Sequence, residues 1–167
     1  MAIGTTMNQW YGASADATAL TTAVLTTTAT IRVLPFVANR VMTINGMSVS
    51  VQTTAASAEV RVGLYNDNGR GYPDQLVVDA GTVSTTSTGQ RTICPSGCTT
   101  TGAGNLPTTI QPGLYWIAIN NNSIAHTLRG YAVANLNSQS GFPASYTTLR
   151  NVGWQIANSY AALPSTF

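Results

Sequence analysis

Residues 58–83 read AEVRVGLYNDNGRGYPDQLVVDAGTV. Val60, Val62 and Leu64 alternate with Glu59, Arg61 and Tyr65, and a period of two marks a β-strand with one buried face. The segment Asn66-Asp67-Asn68-Gly69-Arg70-Gly71-Tyr72-Pro73-Asp74 breaks that rhythm. Glycine supplies positive φ, Asn and Asp cap turns through their side chains, and Pro73 removes a backbone donor. The apolar run Gln75-Leu76-Val77-Val78 follows, and Ala80 to Val83 either continues it or begins another strand. Strand, polar turn and strand predict a hairpin with a long loop.

Working outward, the other strands lie at short spacing. Thr30 to Phe36 is one, with Pro35 placing its end at an edge or bend. Arg40 to Gln52 is a second, and its apolar parity changes across Asn45-Gly46, where a bulge or tight bend belongs. Gln90 to Cys94 makes a short strand. Leu114 to Asn120 is apolar on both parities, which predicts a central strand covered on both faces, with Trp116 between the sheet and a covering segment. His126 to Ala134 and Val152 to Ala157 complete a set of about eight. No βαβ rhythm interrupts them. The expected fold class is all-β: an antiparallel two-sheet β-sandwich, jelly-roll-like, over residues 23–167. Residues 1–22 form an extended, polar N-terminal arm carrying Trp10 and Tyr11.

Composition narrows the function. Only 7% of the 167 residues are charged, against about 25% in an ordinary soluble domain. There is no lysine, and the seven arginines are scattered singly. A net charge of +2 without a basic run gives no electrostatic nucleic-acid binder. No stretch is apolar enough to span a membrane as a helix. The first residues lack the basic and apolar regions of a Sec signal peptide, which predicts a product kept in a cytosol or leaving by another route.

Sites for chemistry are sparse. His126 is the single histidine, expected at the surface of a strand edge, and no G-x-S-x-G motif accompanies it. Asn66 to Gly69 resembles half of a calcium loop, but Leu64 and Gln75 occupy the positions where the template needs acids. Asp67, Asp74 or a carbonyl could serve a different calcium site; the simpler expectation is an Asx turn. Cys94 and Cys98 make half a zinc site at most, and they can equally close a small disulfide or stay reduced. The aromatics Tyr65, Tyr72, Phe142 and Tyr146, with Asp67 and Asp74 nearby, are candidates for stacking on a sugar. No catalytic residue, cofactor or resident metal is expected.

Arg61-Val62-Gly63-Leu64-Tyr65 followed by Gly71-Tyr72-Pro73-Asp74-Gln75-Leu76-Val77-Val78-Asp79-Ala80-Gly81 resembles an R-x-G-[IL]-Y … G-x-P-x-x-L-V-x-D-x-G signature of β-sandwich modules in tailed-phage virion proteins. Pro112 to Ala118, PGLYWIA, is similar to a strand of that group, and Ala162 to Phe167, ALPSTF, to its tail. The resemblance covers roughly Thr30 to Phe167; the arm and the Cys94–Cys98 segment lie outside it. Such modules occur in head decorations, head fibres and tail adhesins. The resemblance therefore implies a virion structural protein, assembled in the host cytoplasm. Among these the expected part is a capsid decoration, or cement, protein that binds the major capsid protein, with a homotrimer favoured. Trp10, Tyr11 and Phe167 are the expected partner contacts. The alternative is a glycan- or receptor-binding fibre tip that uses Tyr65, Asp67, Tyr72 and Asp74.

Overall fold

The computed structural model describes residues 20–24, 27–95, 104–131 and 153–167. These residues hold eleven strands and no helix. They are β1 (Leu20–Val24), β2 (Thr30–Ala38), β3 (Met42–Ile44), β4 (Met47–Thr53), β5 (Glu59–Asp67), β6 (Pro73–Ser84), β7 (Gly89–Ile93), β8 (Thr108–Ile110), β9 (Gly113–Asn121), β10 (Thr127–Tyr131) and β11 (Trp154–Ala157). Three sheets result: four strands in the order β1-β10-β4-β7, five in the order β11-β2-β9-β5-β6, and the pair β3-β8. Every pairing is antiparallel.

The hairpin at residues 58–83 is β5 and β6, and Ala80 to Val83 does continue the second strand. The 12 residues of β6 face the nine of β5. Register shifts after Val62, Leu64 and Tyr65 absorb the difference. One shift skips Ala80 between Gly81 and Asp79, and Gly81 takes φ of 95° there, a conformation open to glycine.

β9 lies in the middle of the five-stranded sheet and is covered on both sides, as its double parity requires. Tyr115, Ile117 and Ile119 are partly buried against the main core, which they share with Val60, Val62, Leu64, Val78 and Ala80. Met47, Val49, Val51 and Leu128 of the four-stranded sheet join the same cluster, as do Ile93 and Ile110. Trp116 and Ala118 point the other way, into a second cluster with Ile31, Val33, Tyr65 and Leu163. The covering segment over Trp116 is thus the C-terminal tail.

That tail also changes the reading of β5. The alternation predicts one buried face, yet Tyr65 is as fully buried as Val60, because the tail lies over it. From Ala157 the tail leaves the β11 edge of the sheet. It is bonded first through Asn158 N to Ala29 O (3.0 Å) and last along β6. There Leu76 N donates to Ser165 O and Phe167 N to Asp74 O, both at 2.9 Å, around a bridge between Gln75 and Thr166.

Other expectations shift in detail. β2 does not end at Pro35 but runs on to Ala38. Among the described residues β11 pairs with β2 only as far as Val33, so no ladder pairing described on that side asks Pro35 for a donor. The expected strand from Arg40 to Gln52 is two strands in different sheets, parted at Asn45-Gly46, where a Cβ on Gly46 would come within 3.2 Å of Ile93 O. β1 straddles the expected arm boundary at residues 22/23 and pairs along its length with β10.

Candidate functional site

The signature residues of β5, β6 and the tail meet at one junction. Arg61 Nε lies 3.0 and 2.8 Å from the two carboxylate oxygens of Asp79, and Arg61 Nη2 lies 2.8 Å from Asp79 Oδ2. A guanidinium fork on a carboxylate is the strong form of ion pair, and both side chains are largely shielded from water. Asp79 accepts two further bonds, from Gly81 N at 3.0 Å and Leu163 N at 3.1 Å. Its backbone carbonyl accepts from Asn105 N, also at 3.0 Å. One carboxylate thereby fixes the bulge in β6, the neighbouring strand and the tail. A shallow depression opens beside it, lined by Arg61, Asp79, Gly104 and Asn105.

Tyr65 donates its hydroxyl to Pro164 O at 2.8 Å and meets Phe167 edge-on, with ring centroids 5.5 Å apart. Burial, and after it the charge of Asp79, holds the Tyr65 phenol well above the usual tyrosine range. Tyr160 behaves alike: burial leads, and the nearby Glu59 carboxylate, 3.3 Å away, adds to it.

The loop between β5 and β6 has its own organiser. Asp67 Oδ1 accepts from Trp116 Nε1 at 3.0 Å, while Oδ2 accepts from Gly69 N (2.7 Å) and Gly71 N (3.2 Å). Asn68 Oδ1 accepts from Arg70 N at 2.8 Å, and Asn68 N donates to Tyr72 O at 2.9 Å. In the bonds to Gly69 N and Arg70 N a side chain bonds the backbone two residues on, the Asx geometry expected of this stretch. The loop reaches to the far edge of the sheet: Tyr72 stacks on Trp154 of β11, with centroids 4.2 Å apart. Trp154 Nε1 donates to Gly71 O at 2.9 Å.

The structure separates the residues singled out from the sequence. Tyr72 is exposed, on the loop. Asp67 is engaged with the loop backbone and Trp116, and Asp74 takes a 3.3 Å bond from Gln75 Nε2. Tyr65 lies within β5 and is wholly buried, so it offers a ligand no surface. Phe167 packs against Tyr65 of its own chain. Cys94 is buried and disulfide-bonded. Trp10, Tyr11, Cys98, Phe142 and Tyr146 fall outside the described residues. Trp154 is the residue that local reading misses: within its own strand nothing marks it as the partner of Tyr72.

His126 is not at the surface. It is fully buried, two residues before the core residue Leu128 and on the same side of the chain by the period of two. Among the described residues neither ring nitrogen finds a hydrogen-bond partner, nor do Thr85 Oγ1 and Asn121 Oδ1, and burial lowers the histidine pKa below its ordinary value. Among the described residues no group of three or more His, Cys, Asp or Glu could hold a metal ion. Among them too, no helix is long and apolar enough to cross a membrane. No protein-family model, curated protein or solved structure matches this chain.

Proposed function

We propose that the chain is a virion structural protein of a tailed phage, a capsid decoration protein that binds and stabilises the assembled head. The observation that carries this reading is the use made of the signature residues. Arg61, Asp79, Tyr65, Leu163 and Pro164 spend their polar groups on one another. A signature of that kind specifies a self-sufficient β module and leaves the work to its surface, which favours a binding part over a reaction centre. The three sheets are read in the same spirit as a jelly-roll-like two-sheet sandwich, extended at one end by the β3–β8 pair.

The mechanism is mass action. A protein that binds only the assembled lattice stabilises it by the free energy of binding. The partner is the major capsid protein. A trimer suits three-fold positions on a shell, and the arm supplies the grip through Trp10 and Tyr11.

The test mixes purified protein with three targets: empty heads of the encoding phage, unassembled capsid subunits, and host cells. Co-sedimentation with heads alone, at a fixed copy number on the shell, is the expected result. Binding to cells while ignoring heads replaces this reading with a receptor-binding one.

A further inference from the structure

A chain this poor in charge has few strong handles for a ligand, and the loop between β5 and β6 supplies one of another kind. Tyr72 and Trp154 lie with their planes 28° from parallel, yet they remain 48% and 40% exposed. Stacking covers one face of each ring, and the exposure that remains makes the outer side of the pair a platform.

The platform is held rigid from both sides. On the loop side, the Asp67 carboxylate binds Gly69 N and Gly71 N, and Asn68 N closes onto Tyr72 O. Gly69 and Gly71 both take φ of 82°, which a residue with a side chain rarely adopts. On the strand side, the Trp154 indole is tied to Gly71 O, and Gly153 sits so close to the Val33 carbonyl that no side chain fits there. Rings fixed in advance need little ordering when a ligand arrives.

We propose that Tyr72 and Trp154 form a stacking platform for a pyranose ring of a glycan. One face of many pyranoses is a patch of C–H groups, and it packs on the electron-rich face of an aromatic ring. The Trp154 N–H is already bonded, so the platform asks the sugar for no hydrogen bond at its face. Hydroxyls at the rim of the sugar need planar donors and acceptors. Asn68, Arg70 and Gln75 are exposed on the same loop and its flank, and the Asp74 carboxylate lies beside them in sequence. A protein partner would call for a broad apolar neighbourhood; on the loop Tyr72 stands among polar residues, and on the strand side Leu34, beside Gly153, is an exposed apolar neighbour. The proposal stands whether or not the module sits on a shell.

The test is saturation-transfer NMR on the whole protein. The probes are the methyl glycosides of glucose, galactose and N-acetylglucosamine at millimolar concentration. Transfer to the ring protons of at least one glycoside is expected. Tyr72→Ala should reduce it to the protein-free background, with circular dichroism and the melting curve showing the fold retained. Trp154→Ala should do the same. Ile124→Ala, which removes an exposed apolar side chain from another loop, should leave it unchanged. Absence of transfer from the wild-type protein to all three glycosides overturns the proposal. So does transfer that survives Tyr72→Ala. If Tyr72→Ala lowers capture by heads while the wild-type protein shows no transfer, the ring pair is a protein contact and the proposal fails.

Discussion

Leu163 occupies the space above Gly63: a Cβ built on Gly63 would collide with Leu163 Cδ1 and come within 2.7 Å of Val78 O. The absence of a side chain at position 63 is what lets the tail lie flat on the sheet. Gly63→Ala should therefore cost about 1–3 kcal/mol of stability, the usual range for overpacking a tight site. Leu163→Ala should cost about 2–5 kcal/mol through the cavity it leaves. In a double mutant the two costs should sum to less than their separate values, since removing Leu163 relieves part of the clash. Urea unfolding of the four proteins checks this.

Asp79→Asn should destabilise by about 3 kcal/mol or more, because it leaves a shielded Arg61 guanidinium without its counter-charge. The loss should change little between low and moderate salt, since a shielded pair is poorly screened. Thermal melts of wild type and variant across a salt series measure both points.

His126 should make the protein sensitive to mild acid. Burial puts its folded pKa below the ordinary 6.5, which the unfolded chain retains. Between those two values the unfolded state binds more protons, so stability is complete above 6.5, falls as pH drops below it, and levels off beneath the folded pKa. His126→Leu should flatten the Tm-versus-pH curve over that window relative to wild type.

Tyr65 and Tyr160 should resist ionisation in alkali. Their folded pKa values stand above the ordinary 10.0, so the unfolded chain releases these protons first and stability falls as pH rises past 10.0. In an absorbance titration Tyr65 and Tyr160 should ionise only as the fold is lost. Tyr65→Phe should remove one of them and cost about 1 kcal/mol for the bond to Pro164 O.

Deleting residues 2–14 should leave the β module folded, since among the described residues the core clusters draw on Ile31 onward. It should abolish capture by empty heads if Trp10 and Tyr11 are the anchor, because buried aromatics dominate interface energies. Occupancy of heads by the truncated protein at the wild-type level would remove the arm from the mechanism.

The parts of the fold that were legible in the sequence are those in which neighbouring residues carry the signal. The alternation of Val60, Val62 and Leu64 announced β5, and the double parity of Leu114 to Asn120 announced a central strand. β8 is only Thr108-Thr109-Ile110, too short for any period to show. β3 and β4 read as one strand because the change of sheet takes two residues. The tail was least legible: its bonds to Asp79, Tyr65 and Glu59 span 84 to 101 residues. The Asx turns of the loop follow from local chemistry, whereas the contact of Tyr72 with Trp154 depends on a strand at the opposite edge of the sheet.

The tail that fastens β5 and β9 is made after both of them. As the chain leaves the ribosome, the hairpin can close early, and the main core can gather once β10 has emerged. Among the described residues Leu163 and Phe167 are the last to reach the face bearing Tyr65 and Trp116, because contacts this distant in sequence cannot form sooner. For that interval the nascent protein displays a greasy surface that the finished one hides, and a chaperone or a second nascent copy would meet it there.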